Sequence, residues 1–377
     1  MTTSRQLGAV PWEVIFFLIT FALNFWVISR GISAGIELLN KIGMPLLFAL
    51  GIALAVRVLS LGTPNPSLPD QNLLNGLGFL WNPDFTRLMD VNVWMAAAGQ
   101  IFFTLSVGMG VILSYASYLR KNDDVAHSAL SSAATNEFAE VILGGSIVIP
   151  AAFVFLGAVG AREDAESGSF NLGFVTMPLI FNQMTFGSLI GLAWFGLLFI
   201  AGVTSSVSLI QPILTFMQDE LKYARKQATI LIGAVTLVAG LVLKWTLAYG
   251  TVDELNFWGG TFLPVVSALV MIWMFGWVMG TDQGWAELTR GSGLRVPVIA
   301  KYVIKYITPL YLLVMLVLWL YRNTSVIAMT HIAEPKVWKA TLATRAGMVI
   351  LIAVLLAAIY YAGRGHLLRN NEKEAVR

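Results

Sequence analysis

The sequence has no cysteine and only three histidines, and charged residues make up 12% of its 377 residues. Without cysteine the chain forms no disulfide and offers no thiolate nucleophile or thiolate metal ligand. The histidines are scattered and lack the spacing of metal ligands. A charged fraction this low excludes an ordinary soluble domain, in which about a quarter of the residues are charged.

Catalytic sequence motifs are absent as well. The chain contains no G-x-S-x-G elbow, no H-E-x-x-H zinc motif and no glycine-rich phosphate loop with a lysine. The chain also has no run of lysine and arginine residues of the kind that would indicate nucleic-acid binding. We therefore expect a protein that is not an enzyme and has no nucleic-acid partner.

Hydrophobic residues, in contrast, make up 57% of the chain, and its mean hydropathy is +0.75. A helix crosses a bilayer core about 30 Å thick with roughly 20 apolar residues. The apolar segments predict an all-α polytopic membrane protein with about nine spans, at residues 11–29, 42–61, 93–118, 136–160, 187–216, 228–249, 257–280, 299–321 and 340–362.

In this topology the basic and acidic residues of the loops lie mostly on opposite sides of the membrane. One face carries most of the basic residues, namely Arg30, Lys41, Arg120, Lys121, Lys222, Arg225, Lys226, Arg290, Arg295, Lys301, Lys305, Arg364, Arg369, Lys373 and Arg377. The opposite loops carry acidic residues, namely Asp70, Asp84, Asp90, Glu163, Asp164, Glu166, Asp253 and Glu254. Since basic loops stay inside, we expect a cytoplasmic (inner) membrane protein whose C-terminus lies in the cytoplasm. Nine spans then place the N-terminus outside. An odd number of spans occurs in nature, but this topology leads us to expect a missing segment upstream.

The third span is interrupted near its middle, where Thr104 and Ser106 precede Gly108 and Gly110, the two glycines that flank Met109. A glycine inside a helix costs about 1 kcal/mol relative to alanine. Unwound backbone at this depth persists only beside a cavity or inside protein, and a broken helix at mid-membrane is typical of a transporter binding site. The alternative is that both glycines only permit close helix packing.

Two further spans carry polar groups where such groups are expensive. The fourth contains Asn136 and Glu140, and an ionisable residue inside a span indicates function by default. The fifth contains Ala201-Gly-Val-Thr-Ser-Ser206, whose hydroxyl and carbonyl oxygens suit a hard cation. The alternative for this stretch is that its hydroxyls bond back to their own helix.

These features resemble the neurotransmitter:sodium symporter family, most closely its bacterial leucine-transporter branch, from about Pro11 to the C-terminus. Six segments carry the resemblance in this order: GQIFFTLSVGMG at 99–110, SYASY at 114–118, NEFAEVILGG at 136–145, FNLGF at 170–174, AGVTSS at 201–206 and DEL at 219–221. The resemblance implies two inverted helical repeats followed by two additional helices.

Matched to that plan, residues 1–377 form a single transmembrane domain that begins at the family's fourth span. Residues 11–61 match the last two helices of the first repeat, 93–280 the second inverted repeat, and 299–362 the two additional helices. We therefore expect a leucine-transporter-like fold without its first three spans. A natural truncation, a mis-assigned start and a split transporter all stay open as explanations.

The resemblance also implies a role for each matching residue. The substrate contacts are Phe103, which would cover the substrate, with Thr104, Ser106, Met109, Ser206 and Leu209. The first Na⁺ would be bound by Thr104 and Asn136, and the second by the carbonyl of Ala201 and the hydroxyls of Thr204 and Ser205. Glu140 is the fixed negative charge of chloride-independent relatives. The gate positions are Tyr118 and Asp219 on the cytoplasmic side and Asn256 on the external side.

Two residues depart from the family pattern. Met109 stands where leucine-transporting relatives have a phenylalanine, and a flexible methionine predicts a side-chain pocket of different size and tolerance. Asn256 stands where the external gate has an aspartate, and a neutral amide cannot form the ion pair of that gate.

The function implied is sodium-coupled symport of a neutral, apolar amino acid by alternating access, with Na⁺ as the coupling ion and no chloride. Its partners are the amino acid and the lipid bilayer, and monomer or homodimer stays open. The alternative is a truncated membrane remnant that does not transport. An intramembrane enzyme is a further alternative, which the absent catalytic motifs disfavour.

Overall fold

The computed structural model describes residues 12–166 and 168–375, and this part of the chain is helical without strands. The α-helices, in chain order, are α1 Trp12–Ser29, α2 Leu38–Leu59, α3 Leu73–Trp81, α4 Val91–Thr104, α5 Val111–Ala116, α6 Val125–Glu137, α7 Gly145–Glu166, α8 Ser169–Asn171, α9 Met177–Phe181, α10 Gly187–Asp219, α11 Arg225–Thr246, α12 Thr251–Leu255, α13 Leu263–Trp273, α14 Thr281–Thr289, α15 Val298–Tyr302, α16 Thr308–Arg322, α17 Thr324–Ile327 and α18 Pro335–Ala375. Wider π-helical turns occupy Ile32–Glu37, Phe138–Gly144, Leu172–Thr176, Asn256–Phe262, Met274–Val278 and Val303–Ile307, and 3₁₀ turns occupy Phe85–Met89 and Leu247–Tyr249.

Among the described residues, eight helical stretches are long and apolar enough to cross a membrane: Trp12–Ser29, Ala34–Leu59, Val125–Glu166, Gly187–Asp219, Arg225–Lys244, Thr251–Val278, Val298–Arg322 and Pro335–Gly363. Each of them overlaps one of the predicted spans. The predicted span at 93–118 consists instead of the shorter helices α4 and α5 with turns between them. The prediction that this span is unwound is therefore confirmed.

The described chain packs as two compact units, one of residues 12–60 and 178–240 and the other of residues 61–177 and 241–375. The predicted single domain and its repeat boundaries stay predictions.

In the first unit, α1 packs against α11 and α10 packs against α2. A Cβ added to Gly233 of α11 would lie 3.3 Å from the ring of Phe25, so the aromatic ring of α1 rests on a small residue. Gly43 of α2 lies similarly close to the side chain of Ile200 of α10. Small residues let membrane helices approach closely, which compensates for the weak hydrophobic drive between helices in lipid.

The second unit has a core in which α4, α13 and α16 meet. Its buried members are Val91, Met95, Ala98, Val265, Ala268, Leu312, Met315, Leu316 and Trp319. In the same unit the short helix α3 lies against α7, with the rings of Phe79 and Phe153 5.5 Å apart. The core holds α4 firmly, and α4 ends at the unwound turns.

Asp124, which precedes α6, joins two loops of the second unit. The backbone N–H of Gly293 donates to its carboxylate at 2.7 Å, and the backbone N–H of His127 donates to its other oxygen at 2.8 Å. These bonds, the one from Gly293 first, hold the pKa of Asp124 below its usual range. The carboxylate therefore stays ionised and ties the loops together at neutral pH.

Candidate functional site

The backbone between α4 and α5 is unwound through three residues with positive φ: Ser106 at 54°, Gly108 at 80° and Gly110 at 79°. Only glycine adopts this region without strain, so the two glycines permit the break. Gly108 also lies against α13, because a Cβ there would stand 2.5 Å from the carbonyl oxygen of Pro264. Both interpretations of Gly108, the broken helix and the close packing, therefore hold.

A chain of polar side chains connects α4 to the helix that begins with α6. The amide nitrogen of Asn136 donates to the hydroxyl of Thr104 at 3.0 Å, and it lies 3.5 Å from a carboxylate oxygen of Glu140. The other oxygen of Glu140 accepts a hydrogen bond from the amide of Gln100. Thr104 and Asn136, which the resemblance assigns to the first sodium site, are thus in direct contact in the second unit.

Glu140 lies in the π-helical turn Phe138–Gly144 and is half-buried. The π turn widens the helix at the residue that carries the charge, and such turns occur frequently at functional sites. The neighbouring acid Glu137 is exposed. Since the amide nitrogen of Asn136 serves both neighbours, neither bond uses its carbonyl oxygen, and this oxygen can accept a cation.

The polar stretch of α10 lies in the first unit. The hydroxyl of Thr204 is 2.9 Å from the carbonyl oxygen of Ile200 and 3.1 Å from that of Ala201, so it bonds back to its own helix as the structural alternative predicts. Thr204 is buried and Ser205 is exposed. Two oxygens 3.1 Å apart can both touch one cation at oxygen distances of about 2.3–2.6 Å, which are typical of hard cations such as Ca²⁺.

Ser206 is half-buried, and its hydroxyl donates to the side-chain oxygen of Asn24 on α1. The carbonyl oxygen of Val203 in its own helix is a second acceptor at 3.0 Å. Leu209, the other predicted substrate contact on α10, is 40% exposed.

The predicted substrate contacts Phe103, Ser106 and Met109 belong to the second unit. The ring of Phe103 lies against Gly260, about 3.2 Å from where a Cβ on that glycine would stand. Gly260 lies one turn after Asn256, so the predicted cover of the substrate rests on the helix that carries the predicted external gate position. Ser106 and Met109 are half-buried in the unwound turns.

Glu254 is the acidic residue nearest to Asn256 in the sequence, and it is half-buried. Its carboxylate is bound by residues other than Asn256. Its carboxylate accepts from the indole nitrogen of Trp258 at 2.7 Å and from the guanidinium of Arg345 on α18. The same guanidinium donates to the carbonyl oxygens of Ile327 at 2.7 Å and Val326 at 3.0 Å. The carboxylate of Glu254 is therefore engaged by Trp258 and Arg345.

The predicted cytoplasmic gate residues are both exposed. Tyr118 follows α5 in the second unit and is 61% exposed. Asp219 is the last residue of α10 in the first unit. The backbone oxygen of Asp219 accepts from the side chain of Lys222.

Sequence reasoning missed two residues of these clusters, Gln100 and Asn24. Gln100 lies one helical turn before Thr104 on α4, a spacing that places both side chains on one face. Asn24 is the only amide side chain in α1. Both signals, an isolated amide within an apolar span and a polar pair four residues apart, are visible in the sequence.

Helices of spanning length, a broken helix between α4 and α5, and the polar side chains of Thr104, Asn136 and Glu140 next to that break define a multi-pass membrane protein of the transporter class. The chain belongs to the sodium:neurotransmitter symporter family, whose profile matches residues 2–364. The family is one of transporters and not of enzymes, as the sequence predicted.

Three similar proteins illustrate the relationship. An uncharacterized sodium-dependent transporter of Haemophilus influenzae is 29% identical over 83% of this chain and 66% of its own length. Sodium-dependent nutrient amino acid transporter 1 of Drosophila willistoni is 24% identical over 83% of this chain and 48% of its own length. The crystal structure of MhsT in complex with L-phenylalanine is similar to this chain with a TM-score of 0.69 and 29% identity. The match covers 81% of this chain and 67% of the MhsT chain.

The likeness to MhsT confirms the leucine-transporter-like fold that the sequence predicted. The chain spans less than two thirds of the length of either curated relative, namely 66% and 48%.

Proposed function

We propose that this chain serves sodium-coupled symport of a neutral, apolar amino acid across the cytoplasmic membrane, independently of chloride. The observation that carries the proposal is the contact of Asn136 with both Thr104 and Glu140. It places a half-buried carboxylate next to the two side chains that would bind the first Na⁺.

A fixed negative charge at this position explains the independence from chloride. A cation bound at Thr104 and Asn136 needs a countercharge, because an isolated charge away from water is expensive. The carboxylate of Glu140 would supply that charge, and it would repel a second anion beside it. The amide of Gln100 holds the carboxylate by a hydrogen bond.

The amino acid would be bound beside the unwound turns between α4 and α5. Backbone N–H and C=O groups that leave the helical ladder there are available to polar groups of a ligand. Phe103 and Met109 supply an apolar surface, and the flexible thioether of Met109 tolerates side chains of several shapes. The complex of MhsT with L-phenylalanine and the names of the Drosophila relatives support an amino acid as the substrate class.

Transport would follow by alternating access with the C-terminus in the cytoplasm. Substrate and Na⁺ shift the equilibrium towards a closed state only if they bind that state more tightly than the open ones. Binding of the two ligands should therefore be mutually dependent, since coupling free energies are reciprocal.

The test is equilibrium binding of radiolabelled L-leucine, with unlabelled L-phenylalanine as competitor, to the purified chain in Na⁺ or K⁺ buffers. We expect saturable binding in Na⁺ that does not change when chloride is replaced by gluconate. Glu140→Ser should bind only when chloride is present, because the anion then supplies the missing charge. Glu137→Ser, which removes the exposed neighbouring carboxylate, is the matched control and should keep chloride-independent binding.

Two other outcomes correct the proposal in different ways. Chloride-independent binding by Glu140→Ser would show that Glu140 is not the countercharge. No binding by wild-type protein that is folded would favour the alternative, a membrane remnant that does not transport.

A further inference from the structure

Asn24 is a buried polar side chain within the apolar helix α1. It is the only amide side chain of that helix and is 8% exposed. A polar group inside a membrane span is expensive unless it has a partner, and its presence there by default indicates a functional role. Nothing in the predicted set of ligands accounts for this amide.

Both ends of the Asn24 amide have partners in the first unit. Its nitrogen donates to the carbonyl oxygen of Thr20, one turn earlier in α1, at 2.8 Å. Its oxygen accepts the hydroxyl proton of Ser206 on α10. The bond to Thr20 fixes the orientation of the amide, so its oxygen points towards α10.

The hydroxyl of Ser206 has a hydrogen-bond acceptor even without Asn24, because the carbonyl oxygen of Val203 in its own helix is 3.0 Å away. A hydroxyl has one proton and therefore donates to one acceptor at a time. The contact with Asn24 thus selects the orientation of the hydroxyl and holds α10 to α1 at this level. The residues just before Ser206 are Thr204 and Ser205, the proposed hydroxyl ligands of the second Na⁺.

Two contacts with α11 hold α1 just after Asn24. The guanidinium of Arg225 on α11 donates to the carbonyl oxygen of Ile28, one turn after Asn24, at 2.7 Å. The ring of Phe25 lies on Gly233 of the same helix. Asn24 is therefore held on a firmly packed helix and can serve as a fixed point for α10.

We infer that Asn24 is a positioning residue for the cation-binding stretch of α10. By holding Ser206 it keeps the oxygens of Ala201, Thr204 and Ser205 arranged for Na⁺, which lowers the cost of ordering them when the ion binds. The inference rests on the proposed function, because it assigns Asn24 to the sodium site of that proposal.

The test uses the purified full chain and Na⁺ alone as the probe. Thermal unfolding is recorded over a series of Na⁺ concentrations, with K⁺ keeping the ionic strength constant, and gives the Na⁺ concentration for half-maximal stabilisation. Asn24→Leu keeps the size of the side chain and removes both hydrogen bonds. We expect it to raise the half-maximal Na⁺ concentration about threefold or more. This is the change in affinity that corresponds to the average coupling energy of an interhelical hydrogen bond in a membrane.

Two variants separate positioning from simple destabilisation. Asn24→Asp keeps an acceptor for Ser206 and should restore the wild-type Na⁺ dependence to within about twofold. Gly233→Ala changes the packing of Phe25 on α11 without touching Asn24 or Ser206, and should leave the Na⁺ dependence unchanged whatever it does to the unfolding temperature.

The remaining outcomes overturn the inference and identify the reason. Equal Na⁺ dependence of wild type and Asn24→Leu would show that Asn24 has only a structural role, and the proposed function would stand. An equal shift in Gly233→Ala would assign the effect to helix packing in general. A folded wild type without any response to Na⁺ would overturn the proposed function together with this inference.

Discussion

At the scale of single residues, the break in the third predicted span depends on glycine. Gly108 combines a φ of 80° with close contact to Pro264, and both features exclude a side chain. Ser106 adopts the same backbone region at 54° without being glycine. A non-glycine residue held in this region indicates that its surroundings enforce the conformation, as is common at ligand sites.

We predict that Gly108→Ala destabilises the protein by more than about 1 kcal/mol, because alanine is strained at positive φ and its Cβ would collide with Pro264. The measurement is thermal unfolding of the purified variant in detergent. Gly191→Ala is the control, since Gly191 lies within helix α10 and a Cβ there would meet nothing within 4 Å. Equal unfolding temperatures of the two variants would contradict the strained-turn account.

Some of the side-chain contacts could be predicted from the sequence and others could not. The contact of Thr204 with its own helix is one of the two alternatives that the sequence leaves open, and the pairing of Thr104 with Asn136 is implied by the family resemblance. The contacts of Gln100 and Asn24 did not follow. A partner separated by tens to hundreds of positions is fixed by tertiary packing, and neither periodicity nor spacing within one helix contains that information.

At the scale of elements, helix α18 is joined to the rest of the second unit by a mostly buried ion pair. The side chains of Arg345 and Glu254 are 15% and 18% exposed, respectively. Arg345 also lies over the ring of Trp258, at 5.1 Å from its centroid. One guanidinium therefore connects α18 to α12, to the π-helical turn that follows α12 and to the backbone of α17.

We predict that Arg345→Gln lowers the free energy of unfolding by about 3 kcal/mol, because breaking a buried pair leaves Glu254 charged without its partner. Thermal or denaturant unfolding in detergent measures the change. Lys41→Gln breaks the exposed pair with Glu37, whose side chains are 69% and 51% exposed, and should have almost no effect. A loss no larger than that of the control would mean that the pair does not stabilise α18.

The sequence predicts the long helices well and the short ones poorly. Eight predicted spans overlap helices of spanning length because a continuous apolar stretch in a bilayer has little alternative to a helix. Helix α3, in contrast, lies within a loop rich in proline, and its contact between Phe79 and Phe153 supplies the stability that local sequence lacks. The π-helical turns were not predicted either, since a one-residue widening leaves no distinct periodicity.

At the scale of the whole molecule, the proposed ion ligands divide between the two units. Thr104 and Asn136 belong to the unit of residues 61–177 and 241–375, while Ala201, Thr204 and Ser205 belong to the other. Asn136 contacts Thr104 within the first set, and the contact of Asn24 with Ser206 lies next to the second. Sodium-coupled transport would require both sets to respond to Na⁺.

The measurement that tests this account most directly is uptake of radiolabelled L-leucine into proteoliposomes that contain the purified chain. With Na⁺ outside and K⁺ inside, we expect L-leucine to accumulate above its external concentration. Collapse of the Na⁺ gradient with an ionophore should release it, and replacement of chloride should change nothing. Accumulation that is the same with and without a Na⁺ gradient, or no uptake by correctly inserted protein, would contradict sodium-coupled symport by this chain.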